Sequence, residues 1–163
     1  MKIKSTEALT AILLGGAIAG AIDIVAASLI YLQNPARVLQ TIAGGLLAKA
    51  TYDGGVATVF FGVLLQESMG ILIAAIYFLI SALLPSWRRH WIASGVAAGI
   101  IIFYVMNYVV VPLSAWKSKP HFSLERFVEN LAAMLLFGLI VAFFCRRLVE
   151  SIDPQMKVAK TST

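Results

Sequence analysis

Two carboxylic acids interrupt the long apolar stretches of this 163-residue sequence, Asp23 in the first stretch and Glu67 in the second. An ionisable side chain inside a membrane-spanning helix costs about 2.5 kcal/mol or more on insertion scales, so it requires a partner or a purpose. Two carboxyl groups that lie close together in a medium of low dielectric constant do not both ionise easily. Such a pair can bind a proton or a cation, which is the chemistry that these two residues predict.

Both acids share a helix face with small residues, the kind of face on which helices pack closely in membranes. Asp23 follows Gly16 and Gly20 at helical spacing, and Glu67 is followed by Gly70. At 1.5 Å per residue, Asp23 lies about 14 Å from the end of its apolar stretch at Leu32. Glu67 lies about 16 Å from the start of its own stretch at Val56. We therefore expect them at similar depth in neighbouring antiparallel helices.

Three further polar side chains, Asn107, Glu129 and Asn130, are predicted closer to that same surface of the membrane than the two acids. Together with Asp23 and Glu67 they form a predicted ion or proton site that opens to one side of the membrane. The alternative interpretation is structural, because the same groups can hydrogen-bond to one another and hold the helix register. Interhelical hydrogen bonds of this kind are common and contribute only about 0.6 kcal/mol on average.

Signatures of other chemistries are missing from the sequence. The two histidines, His90 and His121, are too few and too far apart for a zinc motif. There is no Glu-x-x-His pair of the di-iron bundles and no glycine-rich nucleotide loop. The single cysteine, Cys145, excludes an internal disulfide. We therefore predict no catalytic residue, no metal site and no cofactor, and we expect that the chain is not an enzyme.

The composition is typical of a protein embedded in a lipid bilayer. Hydrophobic residues make up 60% of the chain and charged residues only 13%, about half the charged fraction of a typical soluble domain. The net charge of +5 comes from basic residues at the ends of apolar runs, where they meet lipid headgroups. This placement argues against nucleic acid as the partner that the charge would otherwise suggest.

Four apolar segments are each long enough to cross a bilayer as a helix, for which about 20 residues suffice. They predict one all-α membrane domain over residues 1–163, a four-transmembrane-helix bundle with spans at residues 8–32, 56–84, 91–113 and 124–145. Lys2 and Lys4 before the first apolar run are also typical of a cleaved signal peptide. The run continues past Asp23 to Leu32, so we expect a retained helix.

The distribution of lysine and arginine predicts the orientation of the spans. Eight of these residues lie in the two terminal tails and the turn between the second and third spans, and five lie in the two other loops. Cytoplasmic segments carry the excess of basic residues in membrane proteins. We therefore expect both termini in the cytoplasm, with residues 146–163 as a cytoplasmic tail.

An amphipathic segment, residues 35–51, lies between the first and second spans. Asn34 and Pro35 are residue types that begin helices, and apolar residues then recur at helical spacing. Polar side chains such as Arg37 and Lys49 make this helix too polar to cross the bilayer. It is either an interfacial helix that covers the bundle or a re-entrant element that forms a lid over a cavity.

Two Gly-x-x-x-Gly patterns, Gly16 with Gly20 and Gly95 with Gly99, lie in the first and third spans. Glycine at this spacing allows two helix backbones to approach closely. The patterns predict either packing within the bundle or a face on which two copies of the chain associate.

The run VLQTIAGGLL at residues 38–47, which precedes the pair Gly54-Gly55, resembles a pattern of small bacterial inner-membrane proteins. The span that contains Asp23 and the stretch VMNYVVVPL at residues 105–113 are similar in layout to the same group. These features together resemble the YagU-like family of membrane proteins.

The resemblance to the YagU-like family covers residues 15–147. It implies four helices and a location in the bacterial inner membrane, and it implies no activity. This sequence has Gln66-Glu67-Ser68 where the resemblance would place a histidine. No ion or metal site is therefore carried over from the family.

A structural or accessory role in the membrane is the leading functional prediction, with another membrane protein or a second copy of the chain as partner. Segment 35–51 is the expected docking surface. A small proton- or cation-linked transporter or channel that uses the outer-half carboxylates is the alternative. The almost apolar inner half of the predicted bundle favours the accessory role, because a transporter needs access from both sides.

Overall fold

The computed structural model describes residues 5–118 and 123–152. Its helices are α1 (Ser5–Ile30), α2 (Pro35–Leu47), α3 (Gly55–Leu83), α4 (Pro85–Arg89), α5 (Trp91–Leu113) and α6 (Leu124–Ile152). Four of them, α1, α3, α5 and α6, are long and apolar enough to cross a membrane. The predicted all-α architecture is confirmed, including the additional helix between the first two spans.

The helix ends differ from the predicted spans by a few residues. α5 coincides with the predicted span 91–113, and α3 begins and ends one residue before the predicted span 56–84. The first helix was predicted to reach Leu32 but ends at Ile30. The reason is the backbone of Leu32, whose φ of 50° lies in the left-handed region that an α-helix does not use.

The last helix is longer than its predicted span 124–145. α6 continues to Ile152, so the start of the predicted cytoplasmic tail 146–163 is helical. Residues 146–153 contain no proline or glycine, so the local sequence gives no reason for the helix to end at residue 145. The rest of the predicted tail, residues 153–163, lies outside the described residues.

Large apolar side chains cover the outer surfaces of the long helices. Leu72, Leu79 and Ile101 are 55%, 60% and 56% exposed, and many similar residues accompany them. A soluble domain rarely exposes continuous apolar surface on this scale, whereas a bilayer removes it from water. The chain is therefore a multi-pass membrane protein.

The four long helices pack in the order α3, α1, α6, α5. α1 contacts α3 on one side and α6 on the other, and α6 contacts α5. The two outer helices, α3 and α5, do not pack against each other along their length. They meet at the end of the bundle that carries α4, where the Tyr77 hydroxyl and Ser94 Oγ are 2.7 Å apart. We call this the α4 end, and the opposite end the α2 end.

Glycines lie at two close crossings of the long helices. A Cβ added to Gly16 of α1 would lie 2.7 Å from the Cα atom of Ile71 in α3, where Gly70 also faces it. A Cβ added to Gly99 of α5 would lie 2.6 Å from the Met134 carbonyl oxygen in α6. Gly95 lies at the same contact between α5 and α6, because its added Cβ would lie 3.1 Å from the Gly138 carbonyl oxygen. Both predicted glycine patterns thus lie at contacts between helices of one chain.

α2 packs beside α3 and not over its end. Asn34 begins the helix by accepting a hydrogen bond from the Ala36 amide at 2.9 Å. The Leu39 carbonyl group lies directly against Gly62, which is about 10 Å along the axis from the start of α3. The predicted segment 35–51 is α-helical to Leu47 and continues as a 3₁₀ helix, Ala48–Tyr52.

The apolar face of α2 is used inside the chain. Val38, Leu39, Ala43 and Gly44 are buried. The predicted docking of a partner on this face would therefore compete with the contact between α2 and the bundle.

Candidate functional site

Asp23 lies in the contact between α1 and α3, where its partner is an amide and not the other predicted acid. Gln66 Nε2 donates a hydrogen bond to Asp23 Oδ2 at 2.9 Å and a longer one to the Gly20 carbonyl oxygen at 3.4 Å. The glycine crossing at Gly16 and Gly70 holds the two backbones close enough for these short side chains to meet. The amide thereby satisfies a carboxyl group that lies within a membrane span.

Glu67 is adjacent to Gln66 in sequence but has a different environment. Its carboxyl group faces Gly20 across the helix contact, where an added Cβ would lie 3.4 Å from Oε1. The side chain is only partly buried. Among the described residues, Glu67 makes no hydrogen bond to Asp23, whose carboxyl group accepts from Gln66 instead. The structure thus places both predicted acids at the α1–α3 contact without pairing them.

Asn107 lies in a π-helical turn, Met106–Val110, within α5. Pro112 follows this turn, and a proline lacks the N–H group and crowds the carbonyl group four residues earlier, so the regular hydrogen-bond pattern is interrupted there. Asn107 Nδ2 donates a hydrogen bond to the Phe103 carbonyl oxygen at 2.8 Å. The amide is therefore engaged on its own helix and is not part of the α1–α3 contact.

Glu129 and Asn130 belong to a separate cluster that joins the start of α6 to the end of α1. Arg126 Nη1 and Glu129 Oε2 form an ion pair at 3.2 Å. The Tyr31 hydroxyl donates a hydrogen bond to Asn130 Oδ1 at 3.1 Å. The five predicted site residues are therefore distributed over three places: the α1–α3 contact, the π-helical turn and this cluster.

A cavity of about 920 Å³ lies between α3 and α5 at the α2 end. α3 contributes Leu65, Gln66 and Met69, and α5 contributes side chains from its last two turns. α2 forms a third wall through residues that include Ile42 and Leu46. The lining is mostly aliphatic, and its polar side chains are Thr41, Tyr52, Gln66, Ser114, Trp116 and Ser118.

Trp116 holds α2 in place as the wall of the cavity. Its Nε1 atom donates a hydrogen bond to the Thr41 carbonyl oxygen at 3.0 Å. The indole ring occupies the space in which a side chain at Gly44 would stand. The neighbouring amide of Ala115 donates to the Gly45 carbonyl oxygen at 2.7 Å. The absence of a side chain at Gly44 therefore allows the segment after α5 to close over the cavity.

Gln66 connects the cavity with the α1–α3 contact. Its side chain lines the cavity and also holds Asp23, so the carboxyl group is one side chain away from the cavity space. Gln66 is not among the site residues predicted from the sequence. Its position in the sequence could have indicated such a role, because Gln66 is a polar amide next to Glu67 in an otherwise apolar run. Polar residues are costly inside a membrane span and need a partner.

A metal ion would need several His, Cys, Asp or Glu side chains close together. Across residues 5–118 and 123–152, no group of three or more His, Cys, Asp or Glu side chains could hold a metal ion. His121 lies outside these ranges.

No family model, no curated protein and no solved structure matches this chain. The relationship to the YagU-like family stays a prediction.

Proposed function

We propose that this chain is an accessory membrane protein without catalytic chemistry of its own, and that it binds an amphiphilic molecule from the bilayer. The observation that carries the proposal is the cavity between α3 and α5. Its volume of about 920 Å³ is within the range of about 300–1,000 Å³ of sites that enclose small molecules. Aliphatic walls of this kind suit an acyl chain.

The border of the cavity supports uptake from the bilayer. Two lining side chains, Leu46 and Leu113, are 64% and 81% exposed. An opening bordered by aliphatic side chains admits an acyl chain directly from surrounding lipid. An ion at the same opening would lose its hydration without gaining enough polar partners.

The distribution of polar groups along the cavity suits an amphiphile. Tyr52, Ser114 and Ser118 lie on the connecting segments at the α2 end. Met69 lines the cavity about 21 Å along α3 from the start of that helix. The polar head of the ligand would then lie at the α2 end, with its chain directed towards the middle of the span.

Lipid retention tests this proposal. We expect the native protein, purified in a mild detergent, to carry bound lipid that native mass spectrometry detects, and Gly45→Phe to lose most of it by filling the cavity. Gly45→Ala is the matched control, because an added Cβ there meets only Ser114, at an ordinary distance of 3.9 Å.

A second blocking variant, Met69→Trp, narrows the cavity from the opposite wall. It keeps the test decisive if Gly45→Phe does not fold, which circular dichroism would show. Full lipid retention by correctly folded Gly45→Phe or Met69→Trp protein would contradict the proposal.

A second candidate function, proton- or cation-linked transport, is favoured by the position of Gln66. A proton or cation that reaches this amide from the cavity is one hydrogen bond from the Asp23 carboxyl group. Flux into proteoliposomes should then be abolished by Asp23→Asn in a folded protein, with Glu67→Gln as the comparison. Flux no greater than in empty liposomes would remove this candidate for the ions tested.

The location that we propose is the inner membrane of a bacterium, with both termini in the cytoplasm. The excess of lysine and arginine, eight against five, supports the orientation, and the resemblance to the YagU-like family supports the membrane. In this orientation the cavity lies in the periplasmic half of the bundle.

A further inference from the structure

Three basic residues belong to the two segments at the α2 end of the bundle. The segments 35–53 and 114–118, which we call the mouth, contain Arg37, Lys49 and Lys117 but only one carboxylate, Asp53. The ion pair that forms between described residues is Arg126–Glu129, outside the mouth. The mouth is therefore positively charged beside a neutral, mostly aliphatic cavity.

Arg37 lies against the wall of the cavity itself. Its guanidinium carbon is 3.4 Å from the centre of the Tyr52 ring, and Tyr52 lines the cavity. The Tyr52 hydroxyl is 3.1 Å from Thr41 Oγ1, which holds the ring in position. A guanidinium group stacked on a ring keeps its N–H groups in the plane, where they can bind the oxygens of a phosphate.

Lys117 lies between two residues that line the cavity, Trp116 and Ser118. Its φ of 49° is in the left-handed region, which is unfavourable for a residue with a side chain. The turn is closed by a hydrogen bond from the Lys117 amide to the Ser114 carbonyl oxygen at 3.0 Å. A second basic residue therefore lies in a tight turn next to the cavity lining.

Building on the proposed function, we propose that the amphiphile is an anionic membrane lipid, with its acyl chain in the cavity and its phosphate group at Arg37 and Lys117. The charge at the mouth selects this class of lipid. A zwitterionic lipid adds a cation of its own next to three others, and a neutral lipid brings no negative charge to Arg37 and Lys117.

The test uses Trp116 as the reporter, because its ring lies at the cavity. Trp87→Phe with Trp91→Phe leaves it as the single tryptophan of the three in the chain. We would add phosphatidylglycerol or phosphatidylcholine with brominated acyl chains to the detergent-solubilised protein and measure quenching. We expect half-maximal quenching at a lower mole fraction of the anionic lipid, with about a fivefold loss of this preference in Arg37→Gln or Lys117→Gln.

Lys49→Gln is the matched control, since it removes the same charge from the mouth without altering Arg37 or Lys117. It should keep most of the preference for phosphatidylglycerol. An equal loss in all three variants would indicate general attraction to an anionic surface and would overturn the headgroup site. Equal quenching by both lipids would also overturn it while leaving the proposed function intact.

Two further outcomes separate this inference from the proposed function. If Gly45→Phe leaves quenching by both lipids unchanged, the lipid does not occupy the cavity, and both proposals fail together. If neither lipid quenches Trp116 and light scattering shows a dimer, a second copy of the chain covers the cavity, which also overturns the lipid site.

Discussion

At the scale of single residues, most polar side chains inside the spans are satisfied by other groups of the bundle. Asp23 accepts from Gln66, and Asn107 donates to a carbonyl oxygen of its own helix. Such pairing is required because an unsatisfied polar group is costly in hydrocarbon. Glu67 differs, because its carboxyl group has no hydrogen bond to any residue of the described ranges and is only partly buried. The two predicted acids therefore differ in their surroundings, although they lie at the same helix contact.

The hydrogen bond between Asp23 and Gln66 leads to a prediction about stability. Gln66→Met leaves the Asp23 carboxyl group without its donor, and we expect the free energy of unfolding to fall by about 1–3 kcal/mol. Asp23→Leu in the same chain removes the unsatisfied acceptor. The double variant should therefore lose less stability than the sum of the two single variants, by a coupling free energy of about 0.6–1.7 kcal/mol. Unfolding in mixed SDS micelles, followed by circular dichroism, measures each variant.

Ser68→Ala is the control for this cycle, because Ser68 is exposed on the same helix. Its stability should stay within about 0.5 kcal/mol of the native protein. Strictly additive effects of Gln66→Met and Asp23→Leu would show that the two side chains do not interact.

At the scale of elements, the position of α2 decides whether a cavity exists. The helix is held to α3 where the Leu39 carbonyl group lies against Gly62, and to the segment after α5 by Trp116. α2 forms the third wall of the space between α3 and α5 at this end. Without this helix the same space would be part of the lipid-facing surface.

The contact at Gly62 predicts a local effect of a single methyl group. A Cβ at this position would overlap the Leu39 backbone, which has no flexible end that could move aside. We expect Gly62→Ala to cost about 1–3 kcal/mol and to accelerate amide hydrogen exchange in α2, with little change in α5. Gly45→Ala, which introduces no close contact, should leave exchange in α2 nearly as in the native protein. Equal exchange in both variants would contradict this role of Gly62.

At the scale of the whole molecule, four spans place both termini on one side of the membrane. The loop with α4 then shares the side of the termini, and the mouth of the cavity lies on the other. Which side is cytoplasmic depends on the modest excess of basic residues in the tails and the α4 turn.

Cysteine labelling tests the orientation. In a Cys145→Ser background, which removes the single native cysteine, we would introduce Ser86→Cys at the α4 end or Ala115→Cys at the α2 end. Both positions are exposed. A membrane-impermeant maleimide should label Ala115→Cys in cells with a permeabilised outer membrane, and Ser86→Cys only after lysis. The reverse pattern would invert the proposed topology, with the cavity opening towards the cytoplasm.

The sequence by itself determined the number of spans and most of their limits. A helix within lipid satisfies its own backbone groups, so length and hydrophobicity suffice to recognise it. The span 91–113 was predicted to the residue, and Asn34 with Pro35 marked the start of α2 through local capping chemistry. The exceptions were helix ends, such as the left-handed backbone at Leu32 and the continuation of α6 to Ile152.

Only the tertiary structure decided which polar groups meet and where the chain leaves space. Gln66 is the partner of Asp23 because of the rotation of α3 about its axis, and the cavity exists because α3 and α5 are the outer helices of the packing order. Neither property is encoded in the pattern of one helix. Small residues line many faces of membrane helices, and surrounding lipid is as apolar as a neighbouring helix. Hydrophobicity therefore does not specify the neighbours of a helix, and only close packing of all four does.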